Sequence, residues 1–182
     1  MSRPRRLTAI GLVLAALAGS TAAAETGWTV TKPYPNNPLQ TATLAGTARV
    51  GERSAPAQLI IGCRPDADMT ASLTIPEALG FDTGPFEGPD GIGERQKRLT
   101  VGLAGDRSAP RLVSGWWSEN TVFTFGFALP KPEAARWLAR PGQGLAAEIR
   151  LPDAGKPALA LTFPLPDDAA GLKQVVGPCG VR

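Results

Sequence analysis

Asp66, Asp68 and Thr70 stand in the spacing Asp-x-Asp-x-Thr, with which phosphoryl-transfer enzymes place one carboxylate as nucleophile and use both to hold magnesium. That chemistry needs the motif at the carboxyl end of a strand in a parallel α/β sheet. The residues after Thr70 continue as an alternating strand (Ala71, Leu73, Ile75), so an Asp-rich turn between two strands is the expected role. Gly142-Gln143-Gly144-Leu145-Ala146-Ala147 has the loose Gly-x-Gly-x-x-Ala form of a dinucleotide turn. It follows a helical segment and leads into a strand, the reverse of the order that sets a pyrophosphate on a helix N-terminus, and so reads as a plain turn. Asp167 and Asp168 could divide acid and base work, but adjacent aspartates after a proline read more naturally as helix-starting residues. The chain has no histidine, which removes every imidazole base, proton shuttle and metal ligand. No Gly-x-Ser-x-Gly elbow, phosphate loop or Ser-x-x-Lys occurs either, so no catalytic residue, metal or cofactor is expected.

Cys63 and Cys179 are the only cysteines, which allows a single intramolecular bond. They lie far from the Cys-x-x-Cys spacing of redox catalysts, and a structural clasp of the C-terminus onto the body is the expected role. An oxidising compartment would favour it. The N-terminus points to such a compartment: Arg3, Arg5 and Arg6 precede an uncharged, mainly apolar run from Leu7 to Gly19, and Ala22-Ala23-Ala24 offers a cleavage site. A cleaved secretory signal over residues 1–24 is expected, leaving residues 25–182 as one domain. The apolar run is shorter than the roughly 20 residues a membrane span needs. Ser20 stands where a lipoprotein signal would carry its lipidated cysteine, so neither a membrane span nor a lipid anchor is expected.

The whole chain has 19 Lys and Arg against 16 Asp and Glu, but three of the arginines belong to the leader and none of the acids does. The trimmed chain is therefore balanced. The sequence pI near 9.2 describes the precursor and lends no support to nucleic-acid binding, which needs a net basic face.

The elements that would position any site are mostly strands. With 21 glycines and 18 prolines, about a fifth of 182 residues, turns must be frequent. Trp28 and Val30 begin a short strand stopped by Pro33, and the proline-rich stretch 33–38 is loop. Strands are expected over Thr41–Val50, Ala57–Cys63 and Met69–Ile75, then at Leu99–Leu103. A hairpin joins Leu112–Trp117 to Thr121–Leu129, and a second joins Leu145–Leu151 to Leu159–Leu165. Phe123, Phe125, Phe127 and Leu129 mark one face most clearly. A helix is expected over Pro132–Arg140, and a last helical turn from Asp167 or Asp168 to Val176. Residues Pro76–Glu94, rich in glycine and proline, exceed an ordinary connection, and such a loop is functional or disordered. This pattern predicts an all-β antiparallel sandwich, or partly open barrel, of about eight strands with one or two short helices.

Trp116 and Trp117 are the most suggestive pair, because neighbours on a strand face opposite ways and one ring must meet solvent, a helix or a ligand. Two placements are open: a ring under the Pro132–Arg140 helix near Trp137, or a binding surface. Arg95, Lys97 and Arg98 form a charged edge beside the glycine-rich loop, with Glu87, Asp90 and Glu94 before them. Such an edge serves either as aggregation-resistant surface or as the rim of a protein interface. With Glu119 in the hairpin turn, these are the candidate binding residues.

Gly27-Trp28-Thr29-Val30, the Pro-Asn-Asn-Pro-Leu loop at 35–39, Leu59-Ile60-Ile61-Gly62-Cys63-Arg64, Trp116-Trp117-Ser118 and the terminal Cys179 together resemble the exported, type VI secretion-associated VasI group, over most of the trimmed chain. The resemblance implies a small periplasmic accessory protein without known catalysis and carries over no functional residue besides the two cysteines. The expected function is thus that of a periplasmic or secreted monomer that contacts an envelope or secreted protein. An inhibitor or immunity protein against an exported enzyme is the alternative of the same class, and a carboxylate-based hydrolase the alternative of another.

Overall fold

The computed structural model describes residues 27–65, 67–119 and 121–182. The expected leader over residues 1–24 and Asp66 lie outside the described residues. Among the described residues ten strands form: β1 (Thr29–Thr31), β2 (Gln40–Val50), β3 (Arg53–Cys63), β4 (Thr70–Pro76), β5 (Leu99–Leu103), β6 (Asp106–Arg107), β7 (Ser114–Glu119), β8 (Val122–Ala128), β9 (Gly144–Ile149) and β10 (Leu159–Pro164). Short helices are α1 (Ile92–Arg95), α2 (Lys131–Leu138) and α3 (Ala170–Val176). The fold is all-β and antiparallel, as the alternation predicted. All these strands belong to one hydrogen-bonded sheet, in the order β6-β5-β9-β10-β2-β3-β4-β8-β7 with β1 paired to β2 off that path, and the sheet curls into a half-barrel. Of the two expected forms, the partly open barrel is the nearer description.

β2 and β3 are the long strands on which this curl is built. They pair over their full length from Gln40↔Cys63 to Val50↔Arg53 through a two-residue turn whose Gly51 takes φ +57°. β3 therefore starts at Arg53, earlier than Ala57. Pro56 is tolerated there because β4 pairs with β3 only from Gln58 onward, leaving that stretch a neighbour on one side. β2 changes partner midway: Thr41–Thr43 pair with β1, whereas Thr47–Val50 pair with β10. Gly46 sits at the changeover, where a Cβ would come within 2.3 Å of the Phe163 ring and 2.4 Å of the Thr162 carbonyl oxygen. Only glycine lets the strands approach so closely at the bend.

The period-two alternation turns a single face inward. Leu44, Leu59, Ile61, Leu73, Phe125 and Phe163 are all essentially inaccessible. Ala134 and Trp137 of α2 and Leu172, Val175 and Val176 of α3 close the open side of the curl. Asp168 Oδ1 accepts the Ala170 amide at 2.7 Å, so α3 starts just after the expected aspartates. The Cys63–Cys179 disulfide is formed, with Cα atoms 6.1 Å apart, and ties the end of β3 to the turn after α3. Before β7, Arg111 donates two hydrogen bonds to Glu133 of α2, at 2.8 and 3.1 Å, and lies over the Phe127 ring. That bidentate, mostly buried pair fixes α2 against the sheet.

The long segment after β4 is ordered. Leu79, Phe81 and Phe86 are buried, and two 3-10 turns, Glu77–Leu79 and Gly84–Phe86, precede α1. Gly91 and Gly93 are close-approach positions: a Cβ on Gly93 would lie 2.2 Å from the Val113 carbonyl oxygen. Gly93→Ala must therefore push the loop off the strand, with an expected cost of about 1–3 kcal/mol in urea unfolding. An unchanged midpoint and slope would contradict this packing.

Candidate functional site

β7 is the last strand of the sheet, and the loop is packed along its outer edge. Gly88 N–H donates to the Gly115 carbonyl at 3.1 Å and Val113 N–H to the Gly93 carbonyl at 3.0 Å, blocking edge-to-edge pairing over that stretch. Beyond Gly115, the register Trp116↔Thr124 and Trp117↔Phe123 sends the two indoles to opposite faces.

Trp116 lies on the outer face across Gly126, where a Cβ would come within 2.6 Å of its ring, and is 42% exposed. Trp117 sits at the inner rim, its ring 5.1 Å from that of the buried Phe123 and 81° to it, and is 38% exposed. Trp137 is buried on α2 at 2% exposure. The placement of a second ring under that helix is thus overturned: the β7–β8 edge holds one indole over a glycine and the other beside a core phenylalanine, and both reach solvent.

Trp117 is held from the loop. Its Nε1–H donates to Glu87 Oε1 at 3.1 Å, and the same oxygen accepts the Thr83 hydroxyl at 3.2 Å. Between the loop and the strand ends lies a cleft of about 240 Å³. Its apolar wall is Ile75, Phe81, Phe123 and Trp117, and Glu77 and Asp82 stand at the polar side. Asp82 is paired with Lys156 at 2.8 Å; the hydrogen bond from Lys156, and then the charge of Asp82, raise the Lys156 pKa above its ordinary value. Lys156 therefore stays charged on Asp82 at neutral pH.

The basic candidates point elsewhere. Arg95 donates to the Asp90 carbonyl at 2.6 Å, and Lys97 is exposed. Arg98 is half-buried, bonding the Leu151 carbonyl at 3.2 Å and the Gln96 side chain. Their hydrogen bonds hold the turn into β5 and do not join the indoles. Glu119 closes β7 by backbone pairing with Val122 across a bulge, and its side chain lies outside the described residues. Asp68 is exposed in the connection between β3 and β4, an antiparallel pair and not the carboxyl end of a parallel strand; Asp66, as stated, falls outside. Gly142 forms a turn at φ +73°.

Sequence reasoning missed Glu87 as the partner of Trp117 and the buried Phe86 as the anchor of the loop that carries Glu87. The available signal was a set of apolar residues, Leu79, Phe81 and Phe86, spaced among glycines and prolines that a solvent-exposed loop would not need. Among the described residues, no group of three or more His, Cys, Asp or Glu could hold a metal ion, and no helix is long and apolar enough to cross a membrane. The chain matches no family model, no curated protein and no solved structure.

Proposed function

We propose that the protein is an exported accessory protein of the bacterial cell envelope that works by protein–protein contact, clasped by its disulfide. The observation that carries the reading is the pair of half-exposed indoles fixed back to back on the terminal strand of a rigid sheet. Tryptophan is the residue most enriched among interface hot spots, and a ring already held in place loses little freedom on binding. A partner that grips the β7–β8 edge would meet Trp116 on one face and Trp117 on the other. A formed disulfide fits the oxidising envelope in which such a partner would be met.

The test is affinity capture from envelope extracts under non-reducing conditions with the wild type, Trp116→Ala and Trp117→Ala, the captured protein being identified and rebound in purified form. Each substitution is expected to weaken rebinding on the order of 30-fold, the effect of a hot spot of about 2 kcal/mol. Rebinding unchanged by both would overturn the assignment.

A further inference from the structure

We infer that the cleft beside Trp117 receives a cationic side chain, a lysine or arginine, presented by the partner. This deepens the binding reading above and rests on it. At about 240 Å³ the cleft falls below the size of pockets that enclose whole small-molecule ligands, and suits one long side chain. Phe81 and the Trp117 indole, backed by the buried Ile75 and Phe123, form the apolar side of the cleft against which an aliphatic stem would lie.

The charges near the mouth are asymmetric. Lys156 is engaged by Asp82, and Arg53 is turned onto the Gly80 carbonyl at 3.0 Å. Glu77 lines the cleft together with Trp117, Glu87 is bonded to the indole, and among the described residues neither carboxylate is in an ion pair. An indole flanked by carboxylates recognises an ammonium or guanidinium by cation–π attraction and by charge. A carboxylate from the partner would be repelled there, and a neutral apolar side chain would forgo both attractions.

The experiment titrates the disulfide-bonded protein with Nα-acetyl-lysine amide, Nα-acetyl-arginine amide and the neutral Nα-acetyl-norleucine amide, following the indole N–H signals in nitrogen–proton correlation spectra. Trp117→Phe identifies the Trp117 signal. The expected result is a saturable shift of that signal with the two cationic probes, on the order of tenfold weaker with norleucine and likewise weakened in Glu77→Gln. Glu77 is exposed, so the variant keeps the fold, which unchanged signals from the other tryptophans verify. Norleucine binding as well as lysine, or no movement of the Trp117 signal with any probe, would overturn the inference. Failure here with capture still dependent on the indoles would sink the cation site alone. Probe binding with capture indifferent to the indoles would sink the accessory reading and leave the site.

Discussion

Reduction of the Cys63–Cys179 bond, or its removal in the Cys63→Ala, Cys179→Ala double variant, is expected to lower the unfolding free energy by about 4–5 kcal/mol. The two cysteines are 116 residues apart, so the cross-link removes a long loop's closure entropy from the unfolded chain, and the cost of losing it grows with the logarithm of that length. For a domain of this size such a loss corresponds to roughly 10–15 °C in melting temperature. The effect has a location as well as a size. Cys179 follows α3, whose Leu172, Val175 and Val176 cover the open side of the curled sheet, so the reduced protein loosens there first. Amide exchange should accelerate on reduction in β3 and β4 through the lower global stability, and further in α3 through local opening as well. Calorimetry with and without reductant checks the magnitude, and equal melting temperatures would contradict it.

Phe86→Ala is the second large effect, expected at about 3–5 kcal/mol, the range for truncating a buried phenylalanine. Phe86 is fully buried, with its ring 5.5 Å from Phe125 and 6.1 Å from Phe81. Gly115 of β7 is pressed against it so closely that a Cβ there would lie 2.5 Å from the Phe86 carbonyl oxygen. The residue therefore plugs the loop into the end of the sheet. Its chain neighbour Glu87 holds Trp117, so the substitution also reaches the candidate surface. Denaturant unfolding measures the stability loss, and a red shift of tryptophan emission in the folded variant reports release of the Trp117 indole. Lost stability with unchanged emission would show that the loop's anchor and the indole's support are separate.

The strands were readable because burial on one face imposes period two, and Phe123, Phe125 and Phe127 follow it without a break. The clasp was readable because two cysteines allow one pairing. What periodicity does not encode is which strand lies beside which. The change of partner along β2 depends on Gly46 admitting the Phe163 ring, a contact made between residues distant in the chain. The same limit governed the site. Alternation along β7 placed the two indoles on opposite faces, but what each would meet was decided elsewhere, by Gly126 beneath Trp116 and by Glu87 from a loop thirty residues earlier. Composition also misled at 76–94, where glycines that look like slack are close-packing positions at Gly91 and Gly93.

The proposed function requires that the β7 rim be where the protein touches another. The most direct measurement places a photo-crosslinking residue at exposed Gly84, on the cleft, and separately at exposed Thr47, on the outer face of β2, and irradiates living cells. A discrete protein adduct from position 84, absent from position 47 and abolished by Trp117→Ala, is the predicted result. The same adducts from both positions, or an adduct from position 84 indifferent to Trp117, would contradict it.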